Sequence, residues 1–262
     1  MSVDELSPQR YGRIVIVGGG CYGSYYVRQL LRAIEAGAVE ARELLVVDKD
    51  PQCAVARDHP DTSLVRLDIR DWRSFFDDYL SRAAEHPASA ERDAIVPSPL
   101  MPHLMGDWLV ERTRRRWPDR QVKTSPLRDM PDVPWERAGH DGTHYVSFAT
   151  WTCPINCVEP RTCPHTRGPR SWSMPVTVEA FAQAARDAGH RLNAAVLFCR
   201  HRAYGVGMFD TAEVLAADGA IASVAAVDAA EFVIGTVSHC HGALTRLVIP
   251  ARREAIPPTT TF

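Results

Sequence analysis

A glycine-rich turn near the amino terminus constrains the fold of this chain more than any other feature. The segment Gly18–Gly23 has the spacing G-x-G-x-x-G and directly follows Arg13–Val17, a short β-branched run typical of a buried strand. A helical pattern continues from the turn to about Ala36. In such motifs the first glycine permits a tight turn, the second lets a pyrophosphate approach the backbone, and the third lets strand and helix pack closely. The segment therefore predicts a dinucleotide site.

An acidic residue after the second predicted strand supports this prediction. Leu44–Asp48 forms that strand, and Asp48 could accept hydrogen bonds from both hydroxyls of an adenosine ribose. An acid here favours NAD over NADP, although the adjacent Lys49 weakens the preference. A glycine turn that only joins strand to helix is the alternative. The predicted cofactor-binding residues are Gly18, Gly19, Gly20, Cys21, Tyr22, Gly23, Asp48, Lys49 and Asp68.

Strand and helix patterns alternate further along the chain. A third strand is predicted at Ser63–Leu67, followed by a helix that Asp71 can cap. A fourth strand is predicted at Ala94–Val96, followed by a helix at about Pro102–Arg115. This alternation predicts an α/β fold with a parallel, Rossmann-like sheet covered by helices.

Proline content divides the chain into three predicted parts. Most of the 19 prolines lie between residues 97 and 175. We predict a Rossmann-like nucleotide-binding domain over residues 1–117 and a proline-rich connection with a cysteine segment over residues 118–175. Residues 176–262 are predicted to form a smaller α+β part packed on the first domain.

The amino-terminal segment resembles two nucleotide-binding families. Arg13–Arg57 is similar to the nucleotide-binding domain of Trk-type potassium-uptake regulators, and Leu64–Asp68 lies where those domains carry a strand that ends in an acid. The opening Val17–Gly20 is also similar to precorrin-2 dehydrogenase, an NAD-dependent enzyme. The resemblance extends over about the first 115 residues. It implies a Rossmann-type domain that binds NAD or a related adenine nucleotide on the glycine turn.

A cysteine-rich segment is the second motif with chemical content, and we call Trp151–His165 the cysteine loop. Cys153, Cys157, Cys163 and His165 follow the spacing C-x3-C-x5-C-x-H within it. In a reducing compartment, thiolates this close together favour a bound cation, and prolines stiffen the loop around it. Prolines directly after cysteines are common at iron–sulfur ligands. The loop therefore predicts a metal centre, and a [4Fe-4S] cluster first.

Other interpretations of the cysteine loop remain open. A fourth cluster ligand could come from His165, from Cys240 or Cys199, or from a substrate. Zinc would accept the three cysteines and His165 as a tetrahedral set, although structural zinc sites usually begin with C-x2-C. A proline-stiffened loop of free thiols needs no metal at all.

Two histidines are the predicted catalytic proton carriers. His103 follows the fourth predicted strand, at the end of the sheet where ligands bind in open α/β folds. It could instead cap the following helix. His239 and His241 alternate with Cys240, which on a strand would place both histidines on one face. Simple packing is the alternative for this pair.

Composition excludes several classes of function. The net charge of −2 gives no basic face for nucleic acid. The longest weakly apolar stretch, residues 217–238, contains three acidic residues, and residues 1–7 do not resemble a signal peptide. We therefore expect a cytoplasmic protein with reduced cysteines and no membrane partner. A small-molecule substrate, a redox partner protein and a homodimer fit this composition.

Together these features predict an NAD(H)-linked oxidoreductase with a cysteine-ligated metal centre near the nucleotide site. A nucleotide- and redox-sensing regulator without catalysis is one alternative. A nucleotide-binding protein in which zinc only clips the proline-rich loop is another. The chain has no G-x-S-x-G, Walker or H-E-x-x-H motif, so hydrolase and phosphotransferase functions lack support.

Overall fold

A computed structural model of the chain describes residues 8–59, 62–154 and 157–252. The strands are β1 (Gln9–Val17), β2 (Val39–Asp48), β3 (Val65–Ile69), β4 (Ala94–Val96), β5 (Lys123–Ser125), β6 (Trp135–Ala138), β7 (His144–Ser147), β8 (Leu192–Phe198), β9 (Arg200–Ala203), β10 (Val206–Asp210), β11 (Ala230–Val237) and β12 (His241–Ile249). The helices are α1 (Cys21–Glu35), α2 (Ala54–Asp58), α3 (Trp72–Glu85), α4 (Leu104–Arg116), α5 (Met174–Asp187) and α6 (Thr211–Val227). A short 3-10 helix spans Pro87–Ser89. The predicted α/β class is confirmed.

The first sheet has the strand order β3-β2-β1-β4-β10-β9. Its first four strands are parallel, and Ile14 of β1 pairs with Leu44 of β2 on one side and Ala94 of β4 on the other. β10 and β9 add to the far edge in antiparallel orientation. The chain therefore leaves β1 towards β2 and β3, then returns to the opposite side of β1 at β4.

Helices cover both faces of the first sheet. Ile14 and Ile16 of β1 belong to a core cluster with Val27 and Leu30 of α1 on one face. Side chains in a strand alternate between faces, so Val15 points to the other face, where α3, α4 and α6 contribute to the core. This arrangement buries β1 on both sides, which explains its continuous apolar sequence.

The second sheet has the order β6-β7-β12-β11-β8, and β5 also pairs with β12. Phe232 of β11 and Leu247 of β12 share a core cluster with α3, α4 and α6. On the opposite face, Val233 packs with Val178 of α5. The chain is thus layered as α1, the first sheet, three helices, the second sheet and α5.

Cys199 lies where the chain passes from one sheet to the other. β8 ends at Phe198 in the second sheet and β9 begins at Arg200 at the edge of the first. The N–H of Cys199 still donates to the carbonyl of Val237 in β11 at 2.7 Å. The two sheets therefore meet at Cys199, and residues near this point can line a space between them.

The structure confirms some local predictions and changes others. The carboxylate of Asp71 caps α3 and accepts from the N–H groups of Arg73 and Ser74, as expected. His239 and Cys240 lie in the turn between β11 and β12, so the strand geometry that would place His239 and His241 on one face is not present. The chain needs these residues to reverse direction between two antiparallel strands.

The region predicted as a proline-rich connection contains regular structure as well. β5 lies within it, and β6 and β7 form an antiparallel pair within the second sheet. In the described part of the chain, no helix combines the length and apolar character needed to cross a membrane. Residues 1–7, considered above for a signal peptide, lie outside the described residues.

Candidate functional site

The glycine turn joins β1 to α1 with a backbone that favours glycine at its first position. Gly18 has a φ of +87°, in the left-handed region that side chains disfavour. Its N–H donates to the carbonyl of Val47 at 2.9 Å, and the N–H of Gly19 donates to the carboxylate of Asp48 at 2.6 Å. The end of β2 therefore fixes the conformation of the turn.

Gly23 and Gly20, the third and second glycines of the motif, have different environments. A Cβ atom on Gly23 would lie 1.9 Å from the carbonyl oxygen of Gly18, so the helix can approach the turn only without a side chain there. A Cβ atom on Gly20 would meet no atom within 4 Å. Gly20 is the N-cap of α1 and supplies no side-chain cap, so the first amides of this helix have no side-chain partner at Gly20.

The acidic residues predicted beside the turn are placed differently. Asp48 accepts from the N–H of Gly19 and, at 2.9 Å, from the N–H of Asp50, whereas Lys49 is exposed. Asp68 lies at the end of the neighbouring β3 and forms two hydrogen bonds of 2.8 and 2.7 Å with the guanidinium of Arg70. Asp48 is therefore the predicted acid that contacts the turn directly.

Cys21 and Tyr22 occupy the first positions of α1. Cys21 is exposed and Tyr22 is half-buried. The indole of Trp72, at the start of α3, donates to the carbonyl of Val47 at 2.9 Å. A Cβ atom on Gly18 would lie 3.5 Å from this indole, so Trp72 is a natural fluorophore beside the glycine turn.

A cavity of about 940 Å³ lies between the two sheets. One side is formed by Pro97–Pro99, which follow β4, and by Tyr26 of α1. The opposite side is formed by the cysteine loop, by β7 and by the turn between β11 and β12. The polar and thiol-bearing residues that line the cavity include Ser98, Ser147, Cys153, Cys157, Glu159, Cys199, His201, Thr236, Ser238, Cys240 and His241.

The structure brings three of the four cysteines predicted as metal ligands to this cavity. Cys153, Cys157 and Cys240 line it, whereas Cys163 and His165 are not among its lining residues. In the described residues, no three histidine, cysteine, aspartate or glutamate side chains form a group that could hold a metal ion. The donor atoms thus have suitable chemistry for a soft metal, but their arrangement is not that of a formed metal site.

Backbone amides lie close to two of the thiols. The N–H of Glu159 approaches the sulfur of Cys157 at 3.4 Å. Hydrogen bonds from the backbone of Thr166 and His165 lower the pKa of Cys163. Burial raises the pKa of Cys153, and neighbouring cysteines raise it further. The loop therefore favours the thiolate at Cys163 more than at Cys153.

Glu159 attaches the cysteine loop to the second sheet. Its buried carboxylate accepts from the hydroxyl of Ser238 at 2.7 Å and from the N–H groups of His239 and Cys240 at 3.0 and 3.2 Å. Burial alone would raise the pKa of Glu159, but the hydrogen bond from Ser238 and the nearby His201 bring it below its ordinary value. An ionised carboxylate therefore fits this position.

An aromatic contact adds to this attachment, because Trp151 of the cysteine loop meets Trp172 edge to face with ring centroids 6.5 Å apart. The imidazole of His165 stacks on Trp151, with ring centroids 4.4 Å apart and planes 7° from parallel. The indole N–H of Trp172 donates to the sulfur of Cys240 at 3.2 Å. Burial raises the pKa of Cys240 to about 12, so its thiol is neutral near pH 7. His165, predicted as a metal ligand, is thus engaged as a stacking partner.

His103 is buried at the start of α4. Its Nδ1 lies 2.8 Å from the hydroxyl of Thr236, and its Nε2 is buried without a hydrogen-bond partner among the described residues. It makes no side-chain cap to α4. Burial lowers the pKa of His103 to about 4, so the ring is neutral near pH 7.

His239 is held beside the cavity by other contacts. Its ring meets that of Phe198 edge to face at 4.8 Å, and its Nδ1 is buried without a hydrogen-bond partner in the described part of the chain. Burial lowers the pKa of His239, and the positive charge of Arg170 lowers it further. Neither His239 nor His103 is among the lining residues of the cavity.

Several polar residues at the cavity are not among the residues predicted from the sequence, and three of them contact predicted site residues. They are Glu159, His201, whose Nδ1 is hydrogen-bonded to the carbonyl of Cys157, and Thr236, which contacts His103. Glu159 stands between two cysteines of the loop, which is the available signal for it. Thr236 lies within an ordinary apolar strand, and no sequence pattern marks it.

Fold and site together define an α/β protein with a glycine turn at the end of its first strand and a thiol-lined cavity between two sheets. The chain belongs to the AF_1314_C family, whose model is described as "Uncharacterized protein, C-terminal domain" and matches residues 105–250. This match covers the cysteine loop and the second sheet and leaves out the glycine turn. Searches of curated proteins and of solved structures found no match.

Proposed function

We propose that this chain binds a dinucleotide of the NAD type on the glycine turn and supports redox chemistry in the adjacent cysteine-lined cavity. The observation that carries the proposal is the open space at Gly20, directly before the uncapped amino terminus of α1. Aligned amides at a helix amino terminus attract anions, and a position without a side chain lets a pyrophosphate reach them. The turn fits this group.

The topology of the first sheet supports the same proposal. The order β3-β2-β1-β4 resembles one half of a Rossmann fold, and the winding direction changes between β1 and β4. In open α/β sheets, ligands bind outside the carboxyl ends of the strands at such a switch point. Gly18–Gly20 follow β1 and Pro97–Pro99 follow β4, and Pro97–Pro99 also line the cavity. A nucleotide on the turn would thus extend towards the cavity.

Different residues of this chain would hold the pyrophosphate, the ribose and the substrate. The amides of Cys21 and Tyr22 would hold the pyrophosphate, and Asp48 would accept from the ribose hydroxyls with its remaining lone pairs. The nicotinamide ring supplies hydride transfer when it is bound. Ser98 and Thr236, both buried at the cavity, would orient a substrate. The acid at position 48 favours an unphosphorylated ribose.

A metal centre on the cysteine loop remains a second proposal, and a specific observation favours it. Cys153, Cys157 and Cys240 line the same cavity although Cys240 is distant in sequence. The described residues nevertheless lack a formed group of three ligands, so no step of the nucleotide reaction is assigned to a metal. A [4Fe-4S] cluster and zinc are the two metal alternatives.

A regulator that senses nucleotides is the other candidate function. The two predicted proton carriers, His103 and His239, have lowered pKa values and do not line the cavity. Proton transfer in the cavity would then fall to other titratable lining groups, such as His201 and His241, whereas a regulator needs no such group. The resemblance to Trk-type regulators is consistent with this second candidate.

Calorimetric titration with NADH tests the nucleotide proposal. Gly20→Val should weaken binding at least about tenfold, which corresponds to about 1.4 kcal/mol, because the new side chain occupies the path of the pyrophosphate. Gly219→Val is the matched control, since a Cβ atom on Gly219 in α6 would also meet no atom within 4 Å. Unchanged NADH affinity in Gly20→Val would refute the proposal.

Two further measurements separate the remaining alternatives. NADH oxidation with an artificial acceptor, lost in Cys157→Ser, would identify an enzyme, and binding without turnover would identify a sensor. Anaerobic purification with elemental analysis and visible spectroscopy tests the metal. Brown protein with iron supports the cluster, colourless protein with zinc supports a structural zinc site, and metal-free protein refutes both.

A further inference from the structure

We propose that a second cavity, at the amino-terminal ends of β3 and β4, binds a small phosphate-bearing anion. This cavity of about 510 Å³ lies at the other end of the first sheet from the glycine turn. Its lining is polar and includes the guanidinium groups of Arg13, Arg42, Arg66 and Arg82. The inference does not depend on the nucleotide function proposed above.

The acidic groups of this cavity already have partners. Glu43 accepts from Arg13 at 2.6 Å and from the more exposed Arg66 at 3.4 Å. The carboxylate of the buried Asp93 accepts from the backbone N–H of Arg13 at 2.8 Å and from the hydroxyl of Tyr79 at 2.9 Å. Both carboxylates are therefore satisfied from within the protein.

Two arginines of the cavity remain without a carboxylate partner in the described residues. Arg42 forms no ion pair there, and Arg82 donates only to the backbone carbonyl of Asp78, at 3.2 Å. The four guanidinium groups face two carboxylates, so the cavity has an excess of positive charge. Such an excess inside a concave site favours an anionic ligand.

Gly12 leaves space for the side chain of Arg42. A Cβ atom on Gly12 would lie 2.9 Å from Nη2 of Arg42 and 2.5 Å from Oδ1 of Asp93. The absence of a side chain at Gly12 thus lets the Arg42 guanidinium lie close to β1. The space above Gly12 thus accommodates the end of the Arg42 side chain, which has no acidic partner among the described residues.

The ligand class follows from the donors and the size of the site. Guanidinium groups bind phosphate oxygens through two parallel N–H bonds, so several of them around one cavity recognise a phosphate or diphosphate group. The volume of this open cavity suits a small molecule, and the chain as a whole has a net charge of −2 rather than an extended basic surface.

Calorimetric titration with inorganic pyrophosphate tests this inference. Gly20→Val should be the background for every variant, because pyrophosphate could also bind at the glycine turn. We expect this protein to retain binding and the added double substitution Arg42→Gln and Arg82→Gln to weaken it at least about tenfold, since two charge-assisted contacts are lost. Orthophosphate should bind more weakly than pyrophosphate to the same site.

Arg10→Gln in the same background is the matched control. Arg10 is exposed on the same sheet and pairs with Glu40 at 2.9 Å, outside the cavity. Its removal takes away one positive charge and should leave pyrophosphate affinity unchanged. The inference is overturned if the Gly20→Val protein does not bind millimolar pyrophosphate, if the double variant binds equally well, or if Arg10→Gln causes the same loss. NADH binding by the wild type is measured separately, so the two proposals can fail independently.

Discussion

The glycine turn and the cysteine loop are held in place in different ways. The turn is fixed by the main chain, because Gly18 donates to the end of β2 and Gly23 packs directly against the carbonyl of Gly18. The cysteine loop is fixed by side chains, chiefly by the carboxylate of Glu159 on the turn between β11 and β12. One region is determined by neighbouring strands and the other by a contact across about 80 residues.

This difference predicts how each region responds to acid and to mutation. A turn built from backbone geometry keeps its shape as long as the first sheet is folded. A loop attached chiefly through one carboxylate can loosen when that group is neutralised or removed, while the sheets remain intact. We therefore expect the glycine turn to be rigid and the thiol side of the cavity to be adjustable.

The largest expected effect comes from Gly23→Ala. The new methyl group would lie 1.9 Å from the backbone oxygen of Gly18, so α1 or the turn must move. We expect a loss of about 3 kcal/mol in the free energy of unfolding, measured by urea denaturation. Gly20→Ala is the control, because its methyl group meets no atom within 4 Å. Equal stability of the two variants would show that the turn is not fixed by close packing.

Glu159→Ala should have the next largest effect, and a local one. Its removal leaves the donors of Ser238, His239 and Cys240 without their carboxylate, at a cost of about 2 kcal/mol. Hydrogen exchange should increase at residues 238–240 and in the cysteine loop, and should be unchanged at residues 18–23. Glu159→Gln, which keeps one acceptor oxygen, should lie between the variant and the wild type. Increased exchange at the glycine turn would contradict the separation of the two regions.

The same contrast explains what the sequence could predict. The G-x-G-x-x-G spacing and Asp48 are local signals, and the structure brings both together at the end of β1. The interaction of Glu159 with Cys240 joins residues 81 positions apart, which one sequence without homologues does not reveal. The composition therefore identifies the cysteine loop, but it does not predict that the loop packs on the second sheet.

α6 shows a second physical limit of prediction from sequence. Thr211–Val227 is not predicted as a helix, because its apolar residues do not follow a single stripe. The helix places Val214 and Ile221 in the shared core between the two sheets, while its exposed positions are mostly alanine, glycine and valine, so it has no broad polar face. The cavity is missed for a related reason, since its walls come from both sheets and from six separate parts of the chain.

Acid should release the cysteine loop before it affects the glycine turn. The pKa of Glu159 lies below its ordinary value of 4.5, so this group stabilises the folded loop above about pH 4.5, and the contribution is lost as the pH falls through the lowered folded pKa. The protection of residues 238–240 from exchange, corrected for the intrinsic pH dependence of amide exchange, should thus fall below about pH 4.5 in the wild type. Glu159→Gln should lack this pH dependence, and an unchanged profile in that variant would assign the effect to another group.

Trp172→Phe is expected to have the smallest effect and to measure the aromatic share of the attachment. Phenylalanine keeps a ring against Phe148, whose centroid lies 6.2 Å from that of Trp172, but it loses the N–H that donates to Cys240. Sulfur is a weak acceptor, so urea denaturation should show a loss of about 0.5 kcal/mol. A loss as large as that of Glu159→Ala would mean that the aromatic contacts, rather than the carboxylate, hold the cysteine loop on the second sheet.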